Sequence, residues 1–172
     1  SISDQIWLLG VPFEKSNQLD ERISLSGSSY LEVIHDLITG RPPVTDLTFE
    51  SLIQEFLRKS IRSGLISSAH DVSEGGVAIC AAECCISSGY GAHLTLPNDL
   101  ARLDRILFGE GGSRILVSIP KIKEFDWTQS LKKETVHNNH QIFALKVGEV
   151  HASNNLLITQ NESTLVDLPV SN

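Results

Sequence analysis

The segment Val77 to Ser88, which reads Val-Ala-Ile-Cys-Ala-Ala-Glu-Cys-Cys-Ile-Ser-Ser, opens after Gly75-Gly76 and closes at Gly89. It has the residue pattern of a helix, and Glu83 is its one charged side chain. Nearly all faces of that helix are apolar, so it is expected to be buried. The elements around it therefore decide what can enclose it.

Ile6-Trp7-Leu8-Leu9-Gly10, with Pro12 beyond, suits a buried strand leaving into a loop. The stretch from Glu14 to Glu21 is polar and expected at the surface. Ser28 and Ser29 can cap a helix from about Tyr30 to Ile38, which Gly40 and Pro42-Pro43 stop. Between Asp46 and Arg62, the residues Phe49, Leu52, Ile53, Phe56, Leu57 and Ile61 fall at helical spacing, and Gly64 marks the end. Alternation in Ala92 to Leu96 predicts a strand, Pro97-Asn98-Asp99 opens a short helix to about Phe108, and Ser113 to Ile119 reads as another strand. Pro120 then opens a polar helix to Lys133. Strand-like runs at Ile142 to Val150 and Leu156 to Thr159 precede a last apolar stretch at Leu165 to Val170. Helices and strands are interspersed without strict alternation, which favours an α+β fold in which helices pack on a mixed sheet.

A length of 172 residues suits one sizeable core, so residues 1–172 are expected to form a single domain. With 14 Lys+Arg against 21 Asp+Glu, the net charge of −7 lacks the basic surface that a nucleic acid requires. The apolar runs are far shorter than the roughly 20 residues that span a bilayer, and no signal segment opens the chain. Neither nucleic acid nor membrane is an expected partner. The chain starts at Ser1 and contains no methionine, which suggests a piece of something longer. Cys80, Cys84 and Cys85 crowd one stretch in a pattern unlike a disulfide framework, so a reducing cytoplasm is the expected compartment. They are read as buried structural thiols, since a closed zinc site has no companion pair of ligands. His137 and His140, separated by Asn138-Asn139, read as exposed loop histidines.

Two segments carry more than packing. In His70-Asp71-Val72-Ser73-Glu74-Gly75-Gly76, Ser73 is a candidate N-cap, and the glycines Gly75 and Gly76 let a ligand approach backbone amides at a helix start that favours an anion. Asp71 is a candidate carboxylate for Mg²⁺ beside phosphates. An ordinary capped helix with a tight glycine turn accounts for the same residues. In Leu107-Phe108-Gly109-Glu110-Gly111-Gly112-Ser113-Arg114, a glycine-rich link joins a helix to a strand, without the Gly-Lys-Ser/Thr of a Walker A loop. Arg114 is a candidate for phosphate or, for structural reasons, for pairing with Glu110 or Asp71. No hydrolytic triad or other catalytic residue is apparent.

Together with Ser26-Gly27-Ser28-Ser29-Tyr30-Leu31 and Gly40-Arg41-Pro42-Pro43, these two segments resemble, in order and spacing, the C-terminal part of the phosphoribosylformylglycinamidine synthases. The resemblance covers about Ile6 to Val170. It implies a three-layer α/β/α domain like the C-terminal-type domain of the aminoimidazole ribonucleotide synthetase superfamily, the last of four pieces of a longer enzyme. Relatives of this kind usually continue past Val170. The family uses ATP and Mg²⁺ to convert formylglycinamide ribonucleotide and glutamine-derived ammonia to the amidine, ADP and phosphate. The implied partners are the remaining domains, a glutaminase domain or subunit, and a small-molecule nucleotide. Asp71 matches a Mg²⁺-binding aspartate of the first repeat, and Glu110 the acid of its substrate motif, where Gly111 and Gly112 replace the usual Ser-Gln. The resemblance thus implies a degenerate nucleotide or phosphate site, open to ADP, formed by Asp71, Ser73, Glu74, Gly75, Gly76, Glu110, Gly111, Gly112, Ser113 and Arg114. By itself the domain is expected to be inactive. A free-standing module that binds a phosphate ligand, or another ATP-using member of the superfamily such as a phosphotransferase, are the alternatives.

Overall fold

The computed structural model describes residues 1–138 and 142–170. Seven strands form one sheet: β1 (Gln5–Gly10), β2 (Ser68–Asp71), β3 (Gly91–Leu96), β4 (Arg114–Ile119), β5 (Ala144–His151), β6 (Asn155–Gln160) and β7 (Ser163–Pro169), in the order β2-β4-β1-β5-β3-β6-β7. Neighbours run antiparallel except β3 and β6, which are parallel. Five α-helices accompany the sheet: α1 (Ser29–His35), α2 (Leu47–Arg62), α3 (Gly76–Ser88), α4 (Leu103–Phe108) and α5 (Glu124–Asn138). The mixed sheet agrees with the α+β expectation.

β1 lies inside the sheet and every one of its residues is buried. Because side chains alternate along a strand, it feeds two cores. Ile6 and Leu8 join Leu116 and the α3 residues Val77, Cys80, Ala81 and Cys85 on one face. Trp7 and Leu9 join Ile115, Val117 and Ile119 with Ile53 and Phe56 of α2 and Trp127 of α5 on the other. The register sets this division, since Leu8 stands opposite Leu116 and Trp7 opposite Val117. Helices thus cover both faces, giving the three layers.

Helix α2 begins where Asp46 accepts the Phe49 amide at 3.0 Å, a side-chain N-cap of the usual kind. Helix α5, polar along most of its length, is held by Trp127, which is fully buried with its ring 5.4 Å from that of Phe56.

Several elements differ from expectation. β2 is a strand that its Ser-Ala-His-Asp sequence does not announce; it forms by pairing with β4 from Ser68 opposite Ser118 to Asp71 opposite Ile115. α1 stops at His35 because Asp36 takes a left-handed conformation, φ 53°. α4 starts only at Leu103, after a loop. α5 continues to Asn138, so His137, expected in a loop, lies on a helix, while His140 lies outside the described residues. Ile79 and Ile86 of α3 are 42% and 48% exposed, so that helix is buried on its sheet side only. Glu14, expected at the surface, is buried: Arg105 of α4 donates to both its carboxylate oxygens, at 2.5 and 2.9 Å. Among the described residues no helix is long and apolar enough to cross a membrane.

Candidate functional site

The two glycine-rich segments meet at the start of α3. After Asp71 the chain leaves β2, and the Val72 amide donates to the Arg114 carbonyl at 2.9 Å. A turn follows in which the Gly76 amide donates to the Ser73 carbonyl at 3.2 Å. The N-cap is Gly75, φ 71°, with no side-chain cap. Ser73 is therefore not the N-cap; it and Glu74 are exposed. Gly76 is required here, because its φ is 68° and an added Cβ would come within 2.7 to 2.8 Å of the Leu107 and Phe108 backbone. Without a side chain, the first turn of α3 rests against the end of α4.

That contact brings Glu110 to the helix start. Its backbone bridges to Ser24, with N–H to O distances of 2.8 Å in both directions. Its Oε1 accepts the Gly75 amide and the Ser29 amide, each at 2.8 Å. One carboxylate oxygen thus satisfies orphan donors at the starts of both α1 and α3, where the helix dipoles favour negative charge. The anion that the sequence leads one to expect at this place is the protein's own side chain.

The rest of the loop is similarly committed. Gly111 lies so close to the Arg22 carbonyl that no Cβ would fit. Gly112 is exposed. Ser113 donates to Glu50 Oε2 of α2 at 2.5 Å. Arg114 is 2% exposed and donates through Nη2 to the Gly109 carbonyl at 2.5 Å, while its Nε has no partner. Burial pulls its guanidinium down to about 10. It forms neither of the expected ion pairs with Glu110 or Asp71, because its side chain turns under the loop toward Gly109. The Arg105–Glu14 pair supports this arrangement: Glu14 Oε1 also accepts the Asp20 amide at 2.6 Å, and the Arg105 carbonyl accepts the Gly109 amide at 2.9 Å. Glu14, Glu50 and Arg105 were missed in the sequence because their partners lie far along the chain.

Asp71 ends β2 with its side chain 77% exposed. It offers one hard oxygen donor, but among the described residues no three His, Cys, Asp or Glu side chains cluster to hold a metal. Taken alone these residues do not make a Mg²⁺ site; Asp71 fits one whose other ligands are phosphate oxygens and water.

The thiols are uneven. Cys80 and Cys85 are 1% and 3% exposed, as expected of packing residues, whereas Cys84 is half-buried. His70 Nδ1 lies 2.8 Å from the Asp71 carbonyl and 3.5 Å from Cys80 Sγ. The bond to that carbonyl raises the imidazole's pKa above its ordinary value.

Phosphoribosylformylglycinamidine synthase subunit PurL of Prochlorococcus marinus strain MIT 9303 is 52% identical to this chain over 168 residues, which are 98% of the chain and 21% of that relative. The chain thus spans about a fifth of the length of the curated relatives it matches. Among solved structures, T. maritima PurL complexed with FGAR superposes with a TM-score of 0.75 at 20% identity, covering 99% of this chain and 27% of that one. The same enzyme complexed with ATP gives 0.71 at 18% identity, covering 99% and 25%; both show likeness of fold. Residues 4–157 match the family described as AIR synthase related protein, C-terminal domain, and the chain belongs to that family.

Proposed function

We propose that this chain is the last C-terminal-type domain of a phosphoribosylformylglycinamidine synthase subunit, an ATP- and Mg²⁺-dependent ligase of purine biosynthesis in the cytoplasm. The enzyme would join glutamine-derived ammonia to formylglycinamide ribonucleotide, giving the amidine, ADP and phosphate. The observation that carries this reading is the 52% identity to a PurL subunit across 98% of the chain.

Within that enzyme the domain acts as scaffold around a degenerate nucleotide or phosphate site. The Glu110 carboxylate holds the two amides that a phosphate would otherwise take, and Arg114 is enclosed. These contacts fix the relative position of α1, α3 and the α4–β4 loop without a ligand. Asp71, Ser73, Glu74 and Gly112 are left at the surface, where Asp71 would supply one carboxylate to Mg²⁺. The remaining domains and a glutaminase domain or subunit are the partners. The exposed apolar side chains of Val33, Ile34, Ile38 and Leu47 suit a domain that packs against others.

The test is to assay the full-length natural protein containing this sequence with formylglycinamide ribonucleotide, Mg-ATP and ammonia. Release of ADP together with the amidine is expected. Failure to form the amidine, with the protein folded and its glutaminase partner supplied, overturns the assignment.

A further inference from the structure

Away from the Glu110 loop, a cleft of about 400 Å³ opens between the second half of α3 and the sheet. The register fixes its floor: Ser68 of β2 stands opposite Ser118 of β4, Ser118 opposite Ile6 of β1, and both Ile6 and Leu94 opposite Gly148. Side chains in such a cross-strand row share one face of a sheet. Ile6 and Leu94 belong to the core under α3, so the two serines face that helix as well. Ala81, Cys84, Cys85 and Ser88 of α3 form the opposite wall. None of them is large enough to cover the row, whereas the start of α3 closes on Ile106 and Leu107 of α4.

The cleft falls within the range of small-molecule sites, roughly 300–1,000 Å³, and its chemistry narrows the occupant. Among the described residues no Asp, Glu, Lys or Arg side chain lines it, and the Ser1 amino group at its edge is paired with Asp4 at 3.0 Å. A charged ligand would lose its water here without gaining a counter-charge. The polar feature is the serine pair, whose Oγ atoms lie 2.6 Å apart, with Ser118 only 7% exposed. Each hydroxyl has one proton. Whichever serine donates within the pair, the other keeps its proton for an outside acceptor, and the donor keeps a lone pair for an outside N–H. The pair thus presents one donor and one acceptor side by side. A ring that carries a carbonyl next to an N–H closes a cycle of three hydrogen bonds with them, in which each bond polarises the next.

We propose that this cleft is a binding site for an uncharged planar heterocycle with a lactam edge. The ring lies between the α3 wall and the apolar floor of Ile6 and Leu94, and its C=O and N–H meet the Ser68–Ser118 pair. The cleft shares no lining residue with the Glu110 loop or with Asp71, so the site is separate from the one described above and does not rest on the ligase assignment.

The experiment titrates the full-length natural protein containing this sequence by calorimetry with three probes of similar size: hypoxanthine, which has the lactam edge, indole, which lacks the carbonyl, and benzoate, which is charged. Mg-ATP is present throughout, so that sites for nucleotides are filled. Hypoxanthine is expected to bind one-to-one with Kd below about 1 mM, within reach of a ligand of this size. Indole should bind several-fold more weakly and benzoate not measurably. Cys84→Leu, which puts a larger side chain on the cleft wall, should abolish hypoxanthine binding. Ser118→Ala removes one oxygen and should weaken it about three- to tenfold; it serves as the test should circular dichroism show that Cys84→Leu has failed to fold. Absence of saturable hypoxanthine binding overturns the proposal, as does binding that the folded variants leave unchanged. Binding of indole or benzoate as tight as that of hypoxanthine also overturns it.

Discussion

The Glu110 carboxylate accepts the Gly75 amide at 2.8 Å, joining the loop before β4 to the first turn of α3. Through the same oxygen it holds Ser29 at the start of α1. Removing the side chain leaves two donors without their charged acceptor. Hydrogen bonds to ionised groups contribute about 1.5–3 kcal/mol each, though not additively. Glu110→Ala should therefore lower stability by about 2–4 kcal/mol, read as the shift in a urea unfolding curve. Glu110→Gln keeps an acceptor oxygen and should cost about half as much. Equal losses for the two variants would show that the charge contributes nothing.

A second contact governs the same loop from below. Glu14 is 3% exposed and takes both arms of Arg105. Breaking a buried pair by deleting one partner strands the other charge and costs about 3–5 kcal/mol. Arg105→Ala, which strands the buried Glu14, should fall in that range, and Glu14→Ala somewhat lower, since the Arg105 it leaves behind is the more exposed partner. Substituting both should cost less than the sum of the single changes, which a double-mutant cycle in denaturant measures.

Trp127 shows how much of the fold rests on a residue within an otherwise polar helix. It is fully buried and touches both the Phe56 and Trp7 rings. Trp127→Ala should cost about 3–5 kcal/mol through lost burial and the cavity left behind. On the same helix Phe125 is 71% exposed, and Phe125→Ser should change stability by less than about 1 kcal/mol. Thermal unfolding of the two variants gives the comparison.

The strands that alternate or run apolar, and the amphipathic α2, could be read along the chain because their pattern is local. So could the meeting of two glycine-rich segments, through their resemblance to a family. What escaped the sequence depends on distant partners. β2 is a strand only because β4 offers its edge to a sequence, Ser68-Ala69-His70-Asp71, with little strand character. Glu14 sits in a polar run and is buried only because Arg105, 91 residues away, folds over it. Ser73 has the chemistry of an N-cap, yet Gly75 takes that place because Glu110, from another loop, already accepts its amide. Arg114 is the local exception: its partner is the Gly109 carbonyl five residues back, a backbone group that carries no side-chain signal in the sequence.

Asp20 supplies a prediction in pH. Its hydrogen bond from Arg22 outweighs partial burial and holds its carboxyl below the ordinary carboxylate value; the ion pair spans 2.6 Å. Asp104 is held down in the same direction by Arg102. A carboxyl whose folded pKa lies below its unfolded one contributes stability that is complete above the unfolded value, about 4. That contribution is lost as pH falls through the folded value, because the unfolded chain binds its proton first. Stability should therefore decline with acidification below about pH 5, and Asp20→Asn should make the decline shallower while lowering stability at neutral pH. The Arg102 side chain is 78% exposed against 29% for Arg22, so 1 M salt should reduce the contribution of Asp104 more than that of Asp20. Urea unfolding at a series of pH values and two salt concentrations checks both statements. An unchanged slope in Asp20→Asn would mean that its pair with Arg22 persists in the unfolded chain or adds nothing to the folded one.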